Sequence, residues 1–210
     1  ENSVAVFFAN PVRNRSNDVD YVYHQDPNLY YLTGYKEPHA VLLVFKEDQT
    51  DQDGNSYNEI FFVQEKNPMA EMWTGRRLGD QGVREELNIQ NAYNGSEFQE
   101  YSIDFSKFDK VLFYDFQNDV RDNPNAPADL YSLIEQFKQK SGYSAGQKTL
   151  GKEMPPAPNL DVGTLNRIMA SLRGIKTPEE IELLRKAVFI SAVGQVEVMK
   201  AMKPGMSETE

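Results

Sequence analysis

The chain has 210 residues, 40% of them apolar and 11% aromatic, with no cysteine and a formal net charge of −10. The lack of cysteine excludes a disulfide framework and thiolate chemistry. The acidic balance disfavours nucleic acid and anionic membrane surfaces as partners, because both are bound through clustered Lys and Arg, and no apolar run reaches the length of a membrane span. We expect a cytoplasmic protein, with secretion left open because the sequence does not begin with Met.

Short runs rich in β-branched and aromatic residues alternate with turn residues along the first half of the chain. Such runs are typical of buried strands. They predict strands at residues 4–8, 21–23, 40–45, 59–63 and 110–114. The third and fourth of these strands are expected to form a hairpin with a long polar loop.

Capping residues followed by apolar residues at helical spacing predict helices between these strands. Asp26 caps the first helix, Pro27 takes its first position, and Gly34 ends it. Further helices are predicted at 68–73, at 81–87 with Asp80 as N-cap, at a short turn capped by Ser96, at 128–140 and at 161–173. The alternation of strands and helices predicts an α/β layered domain with a mixed sheet.

The clearest helix signal begins at Thr177. Thr177 is a good N-cap, Pro178 fits the first helical position, and Glu180 completes a capping box. Apolar and small residues then recur every three or four positions, which predicts a helix over 178–202 with an apolar stripe. We expect that a second copy of the chain or the preceding domain covers this stripe, because large exposed apolar patches are unusual.

Residues after this helix indicate that another one follows. Pro204 and Gly205 end the long helix, and Ser207 with Glu210 forms a second capping box at the end of the sequence. We therefore expect that the chain is part of a longer protein and stops just after it enters another domain.

Metal sites are poorly supported by the sequence. His24 and Asp26 lie close together, but zinc needs three or four such ligands, and Asp26 already caps a helix. His39 adds no further ligand pattern. The acidic segment 51–54 suggests calcium, yet placing its glycine at the sixth position of an EF-hand loop puts unsuitable residues first and twelfth. A solvated hairpin tip is the better interpretation.

One segment remains as a candidate binding site, since neither a nucleophile elbow nor a serine–histidine pattern is present. It is WTGRRLG, residues 73–79, where Arg76 and Arg77 follow Trp73, the sole tryptophan. Paired arginines bind carboxylates in a fork geometry, and an aromatic ring can form the wall of a pocket. The alternative is structural, with Trp73 partly buried and the arginines paired to local acids.

Four segments, in order along the chain, resemble the amino-terminal domain of aminopeptidase P, the Xaa-Pro aminopeptidase of the creatinase/prolidase superfamily. They are residues 10–18 (NPVRNRSND), 25–38 (QDPNLYYLTGYKEP), 73–79 (WTGRRLG) and 172–185 (LRGIKTPEEIELLR). The last is similar to the linker and first helix of that family's "pita-bread" catalytic domain. Residues 101–159 contribute little to the resemblance.

The resemblance implies a creatinase-like α/β domain at residues 1–173, with a mixed sheet flanked by helices. Residues 174–210 would be the linker and the first long helix of a truncated catalytic domain. The implied reaction of the whole protein is removal of the N-terminal residue from peptides with proline at the second position. Two divalent metal ions, usually Mn²⁺, would activate water for this reaction. Their ligands would lie beyond residue 210, so no catalytic residue or metal ligand is assigned to this chain, which we expect to be inactive by itself.

The resemblance also implies that the amino-terminal domain supports a homo-oligomer and limits access to the active site. On this basis Trp73, Arg76 and Arg77 are predicted to be substrate-binding residues, with Trp73 near the substrate of a neighbouring subunit. The alternatives are a catalytically silent creatinase-like module that serves as a protein or peptide binding platform, a prolidase, or a creatinase. The metal ligands expected further along the protein would distinguish an enzyme from a platform.

Overall fold

The computed structural model describes residues 2–50, 54–116, 120–121, 128–144, 148–149, 152–153 and 157–207. The chain divides into two compact units, Glu1–Arg167 and Ile168–Glu210. The strands are β1 (Ser3–Phe8), β2 (Asn14–Ser16), β3 (Val19–Asp20), β4 (Val41–Thr50), β5 (Ser56–Val63), β6 (Ala92–Asn94), β7 (Lys110–Phe113), β8 (Lys148–Thr149), β9 (Lys152–Glu153) and β10 (Leu160–Asp161). The helices are α1 (Pro27–Thr33), α2 (Pro68–Thr74), α3 (Gly79–Glu86), α4 (Leu130–Ser141), α5 (Thr164–Gly174) and α6 (Pro178–Ala201).

A mixed six-stranded sheet forms the centre of the first unit, in the order β10-β7-β1-β4-β5-β6. β1 runs antiparallel to β4 and parallel to β7, so both strand senses meet in the middle of the sheet. β4 and β5 form the predicted hairpin and extend further into its polar loop than predicted. The predicted α/β class, with a mixed sheet flanked by helices, is confirmed.

Both faces of the sheet are buried, because successive strand residues point to opposite sides. On one face Val6 and Phe62 belong to a buried cluster with Phe137 of α4. On the other face Tyr35, which follows α1, packs edge-on against Phe61 with ring centroids 5.1 Å apart. Burial on two sides explains why these strands appear in the sequence as nearly continuous apolar runs.

Side-chain caps are present at three helices, and those at Asp26 and Thr177 confirm the predictions. The side chains of Asp26, Asn67 and Thr177 accept hydrogen bonds from first-turn N–H groups of α1, α2 and α6. Glu180 accepts from the N–H of Thr177 over 2.7 Å and completes the predicted capping box. Gly34 ends α1 in the left-handed conformation, with a φ of 72°. These caps involve neighbouring residues, which is why the sequence predicts them well.

The strand predicted at residues 21–23 is wrong. This segment is irregular, and Tyr21 and Val22 are exposed. The backbone pairing lies earlier, between the short strands β2 and β3, and the turn that joins them contains Asn17 with a φ of 50°. Alternating tyrosine and valine favour a strand only where a partner strand is available, and residues 21–23 join no strand within the described part of the chain.

The cap predicted for α3 is also wrong. α3 begins at Gly79, so Asp80 lies inside its first turn, where its carboxylate pairs with Arg84 over 2.9 Å. Leu78 precedes the helix and offers no side-chain cap. The N–H of Leu78 bonds instead to a carboxylate far away in the sequence, which a search for local caps does not find.

Ser96 is not the cap of the short turn near Phe98. It lies within a 3₁₀ turn that spans Gly95–Phe98, and Glu97 accepts from the N–H of Asn94 over 2.9 Å. The cap is Asn94 and the turn therefore starts two residues earlier than predicted. The capping box predicted at Ser207 and Glu210 lies partly outside the described residues, as does the acidic segment 51–54.

The second unit contains the end of α5 and all of α6. No residue of α6 is buried, and exposed apolar side chains include Ile181 and Met199 of the predicted stripe. Leu183 and Phe189, outside that stripe, are exposed as well, so the apolar surface is wider than predicted. A helix that is apolar on several sides is typical of the interior of a larger domain. No helix in the described part of the chain has both the length and the apolar character to cross a membrane.

Candidate functional site

The predicted site residues lie in the last turn of α2 and on the segment that connects α2 to α3. We call residues 73–79 the tryptophan loop. Asn67 caps α2 and accepts from the N–H groups of Met69 and Ala70 over 3.1 and 3.0 Å. The N–H of Gly75 bonds to the carbonyl of Glu71 and closes the helix. Trp73 therefore occupies the last turn of a short, well-capped helix, which fixes its backbone.

Two glycines, Gly75 and Gly79, follow Trp73 within the tryptophan loop. Gly75 has a φ of 86° and Gly79 a φ of 64°, and residues with a side chain rarely adopt these conformations. A Cβ on Gly79 would also lie 2.8 Å from Cγ of Lys66, whereas a Cβ on Gly75 would meet nothing within 4 Å. The glycine spacing of the WTGRRLG motif thus reflects backbone geometry.

Trp73 is highly exposed, with 88% of its surface accessible. Met69 and Met72 of the same helix are 79% and 78% exposed. Trp73 is therefore not partly buried, which contradicts the structural alternative considered from the sequence. Three neighbouring exposed apolar side chains on one short helix are typical of a contact surface, because tryptophan and methionine are both enriched where proteins bind partners.

Arg76 and Arg77 differ from each other in their exposure and in their contacts. Arg77 is half-buried, and its Nη1 donates to the main-chain carbonyl of Glu65 over 3.1 Å. Its Nε is buried without a hydrogen-bond partner among the described residues. Arg76 is exposed and has no hydrogen bond or ion pair in the described part of the chain. The arginine pair is thus divided into one residue that contacts the protein body and one that faces solvent.

Glu37 is a residue of this site that local sequence patterns do not reveal. Its Oε1 accepts from the N–H of Leu78 over 2.8 Å, and its Oε2 accepts from the hydroxyl of Tyr35 over 3.1 Å. Glu37 belongs to the YLTGYKEP segment, and Leu78 belongs to the tryptophan loop. The two most specific segments of the sequence are therefore in direct contact.

His39 lies next to this contact. Burial lowers the pKa of its imidazole, the Asp129 carboxylate opposes this effect by raising the pKa, and the Arg77 guanidinium lowers it further. Its Nδ1 accepts a hydrogen bond from the N–H of Leu130. A neutral imidazole held in this way is a structural residue, because the nitrogen that would bind a metal ion is already occupied.

The described residues contain no group of three or more His, Asp or Glu side chains arranged to hold a metal ion. His24 and His39 are therefore not brought together with carboxylates in a coordination shell. Asp26 accepts from the N–H groups of Asn28 and Leu29 as a helix cap. The residues present do not fit the di-metal centre that the resemblance implies for the whole protein.

A small cleft lies at the carboxyl ends of β1 and β7, where open α/β sheets often bind ligands. Its volume is ≈ 70 Å³, and Asn10, Asp26 and Asp115 are among its lining residues. Ligand pockets are usually about 300 Å³ or larger. The cleft is too small for a peptide, so the tryptophan loop remains the better candidate site.

The fold and the exposed loop define a class of protein domain. It is an α/β domain in which helices flank a mixed sheet, and its surface carries a loop that contains two glycines and an exposed tryptophan. Residues 1–113, more than half of the chain, match the family described as aminopeptidase P, N-terminal domain. The chain belongs to this family.

Similar proteins extend the likeness over the whole chain. The Xaa-Pro aminopeptidase of Haemophilus influenzae is 28% identical over 210 residues, which is 100% of this chain and 41% of that protein. The Xaa-Pro aminopeptidase of Escherichia coli is 30% identical over 208 residues, 98% of this chain and 42% of that protein. The chain thus spans about two-fifths of the length of these relatives.

Solved structures agree with this assignment. Aminopeptidase P from E. coli with the inhibitor Pro-Leu has a TM-score of 0.70 at 28% identity, covering 98% of this chain and 42% of that one. Zn-substituted E. coli aminopeptidase P in complex with product has a TM-score of 0.68 at 29% identity, covering 99% and 42%. The matched regions include α6, so the likeness reaches past residues 1–113, which match the family.

Proposed function

We propose that this chain is the non-catalytic amino-terminal part of a metal-dependent Xaa-Pro aminopeptidase, which we call the parent enzyme. The parent enzyme removes the N-terminal residue that precedes proline. The observation that carries this proposal is the likeness, over almost the entire chain, to E. coli aminopeptidase P bound to Pro-Leu. A substrate class with proline agrees with the names of the relatives, which are Xaa-Pro aminopeptidases.

The catalytic metal ions belong to the rest of the parent enzyme in this proposal. The Zn-substituted E. coli structure is a metal-containing relative, and two divalent ions, expected to be Mn²⁺, would supply the activated water. Within the described residues, no cluster of suitable side chains could replace them. The boundary between the amino-terminal domain and the catalytic part is proposed at residues 173–174.

The domain's own contribution is to control substrate access and to support a homo-oligomer. Trp73 presents a large rigid surface to solvent, and tryptophan loses little conformational entropy when it contacts a partner. Arg76, three residues further on, is exposed and unpaired among the described residues, and its guanidinium can bind a peptide carboxylate. Arg77 shapes the loop through its bond to Glu65. We propose that Trp73 reaches the substrate of a neighbouring subunit.

Steady-state kinetics of the parent enzyme test this proposal. Trp73→Ala should raise KM for longer Xaa-Pro peptides by at least about fivefold, as loss of ~1 kcal/mol of contact energy would. Tyr30→Ala is the matched control, because Tyr30 is an exposed aromatic residue on α1, and it should leave KM unchanged. If Trp73→Ala altered neither KM nor the oligomer size, the access role would be wrong.

A second assay separates the enzyme from the binding-platform alternative. The 210-residue chain should not cleave Xaa-Pro peptides in Mn²⁺, whereas the parent enzyme should. Turnover by the chain alone would refute the domain assignment. A parent protein that binds peptides but never cleaves them would favour the platform.

A further inference from the structure

We propose that Glu37 is a positioning residue for the tryptophan loop, and that it sets where Trp73 and Arg76 are presented to substrate. This inference rests on the proposed function for its effect on peptide binding. Its structural part, the control of the loop by Glu37, stands on the contacts alone. Glu37 does not touch substrate in this proposal and acts through Leu78.

Both carboxylate oxygens of Glu37 are used. Oε1 accepts from the N–H of Leu78 over 2.8 Å, and Oε2 accepts from the hydroxyl of Tyr35 over 3.1 Å. Tyr35 is fully buried, and its ring packs against Phe61 of the central sheet. The carboxylate is therefore fixed by a rigid part of the domain, and the loop is fixed by the carboxylate.

The backbone of Glu37 is held as well. Nε2 of Gln25 donates to the main-chain carbonyl of Glu37 over 2.7 Å. Oε1 of Gln25 accepts from the N–H groups of Asn10 and Asp26 and from the hydroxyl of Tyr23. These contacts leave Glu37 little freedom to move, which is what a positioning residue requires.

Glu37 holds the tryptophan loop near its carboxyl end, at the N–H of Leu78. Leu78 lies directly before Gly79, where α3 begins, so the negative carboxylate faces the N-terminal end of α3 and is favoured there. The second support is the bond from Arg77 to the carbonyl of Glu65. The two supports act at Arg77 and Leu78. Arg76 directly precedes them in the sequence, and Trp73 lies three residues before Arg76. The exposed residues thus project from a segment that is held at its carboxyl end.

Hydrogen exchange in the 210-residue chain tests the structural part. Glu37→Ala should speed exchange of the Leu78 amide about tenfold or more, since a hydrogen bond to a charged acceptor is lost. Glu37→Asp, whose carboxylate is too short to reach, is a second variant should Glu37→Ala fail to fold, and should act in the same direction. Glu37→Gln retains an acceptor oxygen and should restore most of the protection.

Glu97→Ala is the matched control. Glu97 accepts from the backbone N–H of Asn94 over 2.9 Å at the start of another turn, so its removal breaks a similar bond elsewhere and should leave Leu78 unchanged. Fluorescence anisotropy measures how firmly the Trp73 side chain is held, because Trp73 is the sole tryptophan. Its local motion should increase in Glu37→Ala and Glu37→Asp but not in Glu37→Gln or Glu97→Ala.

Kinetics of the parent enzyme complete the test. Glu37→Ala should raise KM for longer peptides severalfold with little change in kcat, and Glu37→Gln should rescue it. If folded Glu37→Ala or Glu37→Asp left Leu78 exchange and Trp73 anisotropy unchanged, the positioning role would be wrong. If both changed but neither Glu37→Ala nor Trp73→Ala affected KM, the proposed access function would fail and the loop support would stand.

Discussion

Nδ1 of His39 accepts a hydrogen bond from the backbone N–H of Leu130 over 3.0 Å. This contact joins the segment after α1 to the first residue of α4, 91 positions later in the chain. His39 adopts a φ of 59° to make it. A single side chain thus helps to fix the start of a helix that covers one face of the sheet.

The first prediction concerns the pH dependence of stability. Burial lowers the pKa of His39, so the unfolded chain binds a proton more readily than the folded one. The free energy of unfolding should therefore be fully retained above pH of about 6.5 and should fall as the pH drops below that value, levelling off below the folded pKa. Urea titrations at pH 7.5 and 5.5 measure this. His39→Asn should reduce the difference between them, and an unchanged difference would exclude His39 as its cause.

The second prediction concerns the glycines of the tryptophan loop. Gly75→Ala and Gly79→Ala should each lower the free energy of unfolding by roughly 1–2 kcal/mol, because both positions have a positive φ that residues with a side chain rarely adopt. The effect should be larger for Gly79, where the new methyl group would meet Lys66. Gly163→Ala is the control, since its φ is not in that region, and should change stability by less than about 0.5 kcal/mol. Equal stability of all three variants would contradict the backbone account.

The third prediction concerns the start of α5. Oδ1 of Asp161 accepts from the N–H groups of Gly163 and Thr164, and hydrogen bonds from Thr164 hold the pKa of Asp161 well below its usual range. Asp161→Ala should cost ~1 kcal/mol of stability near neutral pH, as loss of a helix cap does. Asp161→Asn should cost less, because an amide oxygen still accepts. Thermal unfolding of the wild-type chain and of the two variants should rank their stabilities as wild type, then Asp161→Asn, then Asp161→Ala.

The depressed pKa of the Asp161 carboxyl also predicts a second decline in stability, at more acidic pH than the decline caused by His39. A carboxyl whose folded pKa is depressed contributes stability above its unfolded pKa, and the contribution disappears as the pH falls through the folded value. The wild-type chain should therefore lose stability below pH of about 4, in a range separate from the His39 effect. A chain with Asp161→Asn should lose less in this range.

The fourth prediction uses Trp73 as a probe. Because it is the sole tryptophan and 88% exposed, its fluorescence in the dilute chain should resemble that of free tryptophan and be quenched strongly by acrylamide. If copies associate through the Met69–Trp73 surface, the emission should shift to shorter wavelength as concentration rises. Quenching that is weak in dilute solution would contradict the exposed position.

Most of the fold could be predicted because its signals are local. Asp26, Asn67 and Thr177 cap helices that begin at the next residue, and apolar runs mark the long strands of the sheet. The short strands β2, β3 and β6 were missed because two or three polar or mixed residues carry no periodic pattern. Their pairing depends on neighbours that the local sequence does not specify.

The candidate site was predicted in part. The WTGRRLG motif identified the segment, but its separation of Arg76 from Arg77 depends on how the chain folds back toward Glu65. The bond between Glu37 and Leu78 joins residues 41 positions apart, and no spacing rule connects them. The prediction of Asp80 as the cap of α3 failed for the same reason. The N–H of Leu78, just before α3, bonds to the carboxylate of Glu37, which is distant in the sequence.

The strand order has a consequence for how copies of the chain can meet. The edges of the six-stranded sheet are β10 and β6, with two and three residues, whereas the long apolar strands β4 and β5 and their neighbour β1 lie inside. Very short edge strands are one of the ways in which proteins avoid the pairing of sheets from two molecules. Assembly by strand addition is therefore disfavoured, and the proposed homo-oligomer would use side-chain surfaces such as the one around Trp73.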